Sequence, residues 1–389
     1  MIKKKIKIGF SMIMYSLQAD QNYEHDVDFI RKLSQNADVY LIIERGQTAP
    51  NLKNTKIFVQ NSKSLFLLVL EHLWITIKLR LIGVRVFYSR NSLMNAVIAG
   101  LICKFTRGDT YLWSCGEIRK GRETTKKEKG YFRYLLEISA YFIAFKLIKG
   151  LITGTDTMKE YYVKEAHVHS SKVYVLPNWV DLSRFNVNKN TRLDFRKELS
   201  LPSNAFVLLF PRSLSKRHGT LLLPEILRLL RLRGVNAYLI ASGRGNLDTW
   251  LEENALKNGV GKYLRILGGV PNLKMPYLFS SSNVCIVPSE TEGFPRVILE
   301  SMAMGVPFVA HAVGGISDII SKKQIELTVP NGELQKFVDI LERLSSNSSW
   351  KEEIIEEGRR QVARYDVVPV VDDFIHLFKN TYIKLKVVH

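Results

Sequence analysis

Among 389 residues there are only three cysteines, Cys103, Cys115 and Cys285. They show no metal-ligand spacing, and so sparse and odd a set argues against a disulfide scaffold and suits a reducing, cytoplasmic compartment. No apolar run is long enough to cross a bilayer. The best, Leu65-Phe-Leu-Leu-Val-Leu70, meets Glu71 and His72 at once and runs on to Lys78 and Arg80. The P-loop pattern ending in Gly-Lys-Ser/Thr is missing, and no Gly-x-Gly-x-x-Gly follows the first strand. Kinase and dehydrogenase readings are therefore poor. His167 and His169 flank Val168 without a third ligand near in sequence, so a solvated turn is expected there rather than a metal site. Acidic residues are scarce as well: 37 Asp and Glu face 56 Lys and Arg, a formal net charge of +19. An anionic partner is expected, whether nucleic acid, an anionic membrane or a phosphorylated substrate.

What is present is a globular composition, 46% hydrophobic and 24% charged, in a chain too long for one ordinary core. Short apolar runs alternate with segments of helical length. The first series of expected strands is Lys5–Phe10, Val39–Ile43, Lys56–Val59, Val84–Tyr88, Asp109–Trp113, Gly150–Thr153 and Lys172–Leu176. The second is Phe206–Phe210, Asn236–Ile240, Leu264–Leu267, Val284–Val287, Pro307–Ala310 and Glu326–Val329. Alternation of this kind predicts parallel sheets covered on both faces, and two series predict two doubly wound α/β domains. The polar stretch between Asn178 and Leu201 separates them, and a last helix is expected over about Val370–Lys384, after Pro369. Lys3-Lys-Lys5 followed by Ile8–Leu17 imitates a secretory signal. It reads instead as a first strand, Ile6–Ser11, since no small-x-small site follows.

The most informative stretch is Pro288-Ser-Glu-Thr-Glu292-Gly-Phe-Pro-Arg-Val-Ile-Leu-Glu300-Ser-Met-Ala-Met-Gly-Val-Pro307. It follows a buried-strand pattern and sets Glu292 and Glu300 around a Gly-Phe-Pro turn. Pro295 suits the start of a helix at about Arg296, with Val297, Ile298, Met302 and Met304 as its buried face. The free N–H groups of a helix start then lie between two carboxylates, a cradle for a ligand with negative charge and several hydroxyls. In open parallel sheets ligands bind beyond the carboxyl ends of the strands. The loops Pro211–Gly219, Ser242–Asn246 and Gly268–Asn272 end at the same edge. The first carries Arg212, Lys216 and Arg217, cations suited to a departing diphosphate. The second is Gly-rich, and Gly243 is its donor-side candidate. Carboxylates for hydroxyls and cations for phosphates together describe a nucleotide-sugar pocket.

These residues resemble a known family. Pro288-Ser289, Glu292-Gly-Phe-Pro295, Glu300-Ser-Met-Ala303, Gly305-Val-Pro307 and Gly314-Gly315 are similar to the signature of family 4 glycosyltransferases. Pro177-Asn178-Trp-Val-Asp181 with Phe185 resembles that family's Pro-Asn-Gly-Val-Asp segment. The resemblance implies a GT-B fold, two Rossmann-like domains facing across a cleft. Domains are then expected at 1–185 and 186–366, with 367–389 as a helix returning to the first. It implies retaining, metal-independent transfer of a hexose from a nucleoside-diphosphate sugar to a glycan or lipid-linked saccharide, without a cofactor. Glu292 would bind donor-sugar hydroxyls beside Gly293, Phe294 and Pro295, Glu300 the ribose, and Arg212 with Lys216 or Arg217 the diphosphate. Departures stand beside the matches. Ser213 intervenes between Arg212 and Leu214. Ser11-Met-Ile-Met-Tyr-Ser16 stands where many members have a glycine pair. Trp113-Ser-Cys-Gly-Glu117 stands where many have a histidine, which leaves Cys115 and Glu117 as acceptor-side candidates.

Arg119, Lys120, Arg122, Lys126, Lys127, Lys129 and Arg133 crowd one segment, and an aromatic helix follows through Phe145. Basic residues beside such a helix suit an anionic membrane surface reached through residues 119–145. Lys63 with Leu65–Ile77 is a second candidate patch. The rival that keeps this fold is a nucleotide-sugar epimerase or a glycosyl phosphorylase. The rival from another class is a basic nucleic-acid-binding protein. It would need stacking platforms or a reading helix among its cations, which instead gather near the expected phosphate loops and an apolar helix.

Overall fold

The structure, a computed structural model, describes residues 5–15, 23–46, 48–62, 64–118, 130–186 and 195–386. Two compact units divide the chain. One holds the described residues up to Pro177 together with those from Val367 onward; the other holds Asn178–Asp366.

The first unit is built on β1 (Ile6–Tyr15), β2 (Ala37–Gly46), β3 (Thr55–Val59), β4 (Val86–Arg90), β5 (Asp109–Trp113), β6 (Gly150–Thr153) and β7 (Val173–Val175). Every neighbouring pair is parallel, in the order β3-β2-β1-β4-β5-β6-β7. Its helices are α1 (Tyr23–Asn36), α2 (Leu65–Leu81), α3 (Leu93–Thr106), α4 (Tyr131–Leu147) and α5 (Asp156–Lys164). The strand order reverses between β1 and β4. Right-handed crossovers then send α1 to one face and α2, α3 and α4 to the other. On that second face α2 packs on α3 and α3 on α4.

The second unit is built on β8 (Phe206–Phe210), β9 (Ala237–Ser242), β10 (Leu264–Gly268), β11 (Val284–Val287), β12 (Phe308–His311) and β13 (Thr328–Val329), parallel in the order β10-β9-β8-β11-β12-β13. Its main helices are α6 (Leu223–Leu232), α7 (Asp248–Lys257), α8 (Met275–Ser281), α9 (Arg296–Ala303), α10 (Ile316–Ile319), α11 (Leu334–Ser346) and α12 (Ser348–Val362). All side chains of β8, β11 and β12 are buried, as strands covered on both faces require.

Each stretch expected to be a strand overlaps one, most with shifted ends, and Glu326 and Leu327 fall instead in a 3-10 helix, Lys322–Leu327. β1 runs on to Tyr15 because Ser11 and Met12 pair with Ile42 and Ile43 on one side and Ser89 and Arg90 on the other. The last helix, α13 (Val367–Lys386), starts before Pro369, which sits in its first turn where no N–H partner is needed. It joins the first unit through aromatic rings: Phe374 meets Phe29 at 5.1 Å and Tyr88 at 4.9 Å, and Phe378 meets Tyr111 at 4.7 Å. The eight residues Asn178–Phe185, expected in the first domain, lie in the second. Val180 N–H donates to the Tyr365 carbonyl, and the Phe185 ring meets Phe279 edge-on.

Candidate functional site

The strand order of the second sheet reverses between β8 and β11, the topological switch point at which such sheets bind ligands. The loop after β8 carries Arg212 and the loop after β11 carries Glu292. Arg212 Nη2 stands 2.7 Å from Glu292 Oε1, with side-chain exposures of 12% and 4%. The contact is one of charges rather than an aligned hydrogen bond, since Oε1 has no donor in hydrogen-bond geometry.

Glycines let these loops close on one another. A Cβ at Gly314, where φ is +56°, would lie 1.6 Å from the Glu292 carbonyl oxygen. At Gly219, where φ is +80°, it would lie 1.9 Å from the Pro288 carbonyl. At Gly243 and Gly245 it would lie 2.1 Å from the Arg212 carbonyl and 1.9 Å from that of Leu214. Backbone hydrogen bonds complete the joint: Leu214 N–H donates to the Arg244 carbonyl, and Glu290 N–H donates to the Arg217 carbonyl. Gly243 thus touches the site through the backbone of Arg212.

Helix α9 begins at Arg296 with Pro295 as its N-cap, as the Gly-Phe-Pro turn predicted. It is buried all round at Ile298, Leu299, Glu300, Ser301 and Met302, whereas Val297 and Met304, expected on its buried face, are only half-buried. Glu300 is buried at 3% exposure in the helix's second turn. Gly293, Phe294 and Pro295 are buried in the loop before it. The Phe294 ring packs edge-on against Tyr365 at 5.9 Å. Its carbonyl accepts from Asn178 Nδ2 at 3.5 Å. Within the second unit, then, Asn178 braces the Gly-Phe-Pro turn.

Lys216 and Arg217 are exposed in a one-turn helix ending at Gly219. The residue after them, His218, escaped the sequence reading, which counted only cations in this loop. Its Nδ1 lies 2.8 Å from Ser213 Oγ and 3.0 Å from Ser215 Oγ. Burial, then the charges of Arg212 and Arg217, push its pKa down to about 3. Burial keeps this histidine neutral, and the two cations add to the same shift. His311 at the end of β12 was missed too. Its Nδ1 lies 3.2 Å from the Ser289 carbonyl, and burial lowers its pKa. Its Nε2 and the Ser289 hydroxyl are buried without a hydrogen-bond partner among the described residues.

The first-unit candidates follow β5. Cys115 is half-buried and packs on the cluster that includes Phe145 and Tyr162. The neighbouring Tyr162 hydroxyl donates to Ser114 Oγ at 2.9 Å and to the Gly116 carbonyl at 3.1 Å. Glu117 is half-buried. Ser11–Tyr15, set against the family's glycine pair, are strand rather than loop. Lys63 and residues 119–129 lie outside the described residues. Among the described residues no group of three His, Cys, Asp or Glu could hold a metal ion.

Residues 191–361 match the family described as glycosyl transferases group 1. An uncharacterized glycosyltransferase of Methanocaldococcus jannaschii is 25% identical over 232 residues, 59% of either chain. A putative teichuronic acid biosynthesis glycosyltransferase of Bacillus subtilis is 27% identical over 183 residues, 47% of this chain and 44% of the relative. The chain thus spans about half the length of these relatives. The crystal structure of Anabaena HepE in complex with UDP-glucose superposes with a TM-score of 0.78 at 16% identity, over 96% of this chain and 100% of that one.

Proposed function

From a chain of GT-B fold whose second domain belongs to the glycosyl transferases group 1 family, we propose that this protein transfers a hexose from a nucleoside-diphosphate sugar to a glycan or lipid-linked saccharide. Transfer retains the anomeric configuration and needs neither metal nor cofactor. The observation that carries this reading is the Arg212–Glu292 contact of 2.7 Å at the β8/β11 switch point. One side chain suits a phosphate and the other suits sugar hydroxyls, and they stand next to each other.

The reaction breaks the bond between the anomeric carbon and the diphosphate oxygen, and the electron pair leaves with the nucleoside diphosphate. Negative charge grows on the leaving group as positive charge grows on the sugar ring. Arg212, with Lys216 or Arg217, meets the first. Glu292 holds the sugar through its hydroxyls, and its charge lies on the side where the ring turns positive. Glu300 takes the ribose hydroxyls one turn into α9. The positive end of the α9 dipole lies at the Gly-Phe-Pro turn, where it favours anionic oxygens. Cys115 and Glu117, at the carboxyl end of β5, remain the acceptor-side candidates. The relatives named for envelope polysaccharides favour a cell-surface acceptor, and HepE's complex with UDP-glucose favours a uridine donor. A lipid-linked acceptor would place the enzyme on the cytoplasmic membrane face through residues 119–145.

Melting curves with UDP, GDP and ADP and their hexose derivatives test the reading. One nucleotide sugar should raise the melting temperature of the wild type, because a ligand of the folded state stabilises it. Glu292→Gln should lose the increment from the sugar and keep that from the nucleotide. A protein indifferent to all three series would end this proposal.

A further inference from the structure

Helix α2 is apolar on both its inner and its outer face. Its inner face buries His72 and Thr76 beside Leu68, Ile75 and Leu79. His72 Nδ1 lies 2.8 Å from Gln60 Oε1, and its Nε2 lies 2.8 Å from Asn95 Oδ1 of α3. The outer face carries Phe66, Leu70, Trp74, Ile77 and Leu81, spaced as one helical stripe, and all five are exposed. Phe66 is 68% exposed, Trp74 59% and Leu81 83%. A helix facing water has the opposite arrangement.

The neighbouring helices continue this surface. Leu101 and Phe105 stand out from α3, and Phe132, Leu136 and Ile143 from α4. Because α2 packs on α3 and α3 on α4, these stripes stand on one layer of helices, and clustered exposed apolar side chains of this kind mark an interaction surface. Charge says what covers it. The three helices hold two acidic residues, Glu71 and Glu137, both half-buried. Lys78, Lys104 and Lys146 are exposed, one in the last turn of each helix. Lys78 Nζ lies 4.8 Å from the Trp74 ring centroid, an aromatic–lysine pair suited to a headgroup boundary. No helix among the described residues is long and apolar enough to cross a membrane.

We propose that the outer face of α2, α3 and α4 lies in the plane of an anionic bilayer surface, its aromatic and aliphatic side chains among the acyl chains and its lysines on the headgroups. This deepens the membrane reading above and extends the contact from Tyr131–Phe145, within residues 119–145, to a face that also includes α2 and α3. It rests on that reading only for the presence of a membrane, not for the transfer chemistry.

The test is co-flotation of the full chain with vesicles of phosphatidylcholine alone or mixed with phosphatidylglycerol, at physiological salt. The wild type floats with the mixed vesicles and stays in solution with phosphatidylcholine. The variant Leu70→Ser/Trp74→Ser/Ile77→Ser, whose changes are all at exposed positions, loses at least about tenfold in bound fraction. Lys104→Glu/Lys146→Glu loses a similar amount, and more at low salt. Both keep the wild-type circular dichroism spectrum and its melting response to nucleotide sugars. Absence of flotation overturns the proposal, as does equal binding to both vesicles. So does a concentration-dependent dimer in sedimentation that the apolar variant abolishes. A protein that floats but ignores every nucleotide sugar loses the transfer reading and keeps this one.

Discussion

Arg212 and Glu292 neutralise each other at 2.7 Å across the switch point of the second sheet. On the proposed reading, a donor's phosphate and hydroxyls compete for the same two groups. Removing one partner therefore has two consequences that can be separated. Arg212→Ala leaves a carboxylate of 4% exposure without its cation, which should lower stability by roughly 3 kcal/mol. It should also lower turnover by about tenfold or more, the usual cost of losing a charge-stabilising donor. Adding Glu292→Gln removes the unpaired charge. Urea midpoints of the double variant should recover most of the loss while turnover stays low. Near-normal turnover in Arg212→Ala would remove this side chain from the reaction.

The glycine joint gives a second prediction. Gly314→Ala brings a Cβ to 1.6 Å from the Glu292 carbonyl, with φ at +56°. Gly332 has a φ of +94° but nothing within 4 Å of its added Cβ. Gly332→Ala therefore meets backbone strain alone, about 1 kcal/mol or slightly more. Gly314→Ala should cost on the order of 3 kcal/mol and displace the Glu292 loop. Melting curves with and without nucleotide sugar separate the two: the response survives in Gly332→Ala and disappears in Gly314→Ala. Equal behaviour would show that the loop contact is unimportant.

The strands were legible because parallel strands buried on both faces are short unbroken apolar runs, such as Phe206–Phe210 and Val284–Val287. The loops of the site were legible because their charge follows directly on those runs. Three things were not. Glu292 and Arg212 were assigned to different parts of a ligand, and nothing in their sequence spacing indicates that they touch. The role of Gly314 depends on a partner in another loop. The buried polarity of α2 was hidden because the helix is apolar on both sides, so its periodicity marks no inner face. The polar residues His72 and Thr76 carried the only hint, since they fall on one side of the helix.

Charge neutralisation by side chains alone makes a third prediction. If Arg212 and the neighbouring cations answer the departing diphosphate, turnover in excess chelator should equal that in magnesium or manganese. A rate restored only by added divalent metal would contradict this mechanism. The measurement needs donor hydrolysis alone, so it does not await identification of the acceptor.

The last prediction concerns pH. His218 in the folded protein has a pKa of about 3, lowered first by burial and then by Arg212 and Arg217, against about 6.5 in an unfolded chain. Below pH 6.5 the unfolded state gains a proton that the folded state refuses, so stability rises with pH across this window. The stabilisation is complete above pH 6.5 and is lost progressively as pH falls toward 3. His72 and His311 are shifted in the same direction by burial, so they add to the same slope. His218→Gln keeps a polar group near Ser213 and Ser215 but binds no proton. Its urea midpoint should fall less steeply than that of the wild type between pH 6.5 and 5, and the two should run parallel above pH 7. A bound diphosphate adds negative charge beside Arg212 and Arg217, which raises the His218 pKa. Nucleoside-diphosphate affinity should therefore gain from this proton only at pH below the raised His218 pKa of the complex, toward 3, in the wild type and not in His218→Gln. An affinity that follows the same pH curve in both proteins would place the diphosphate away from this loop.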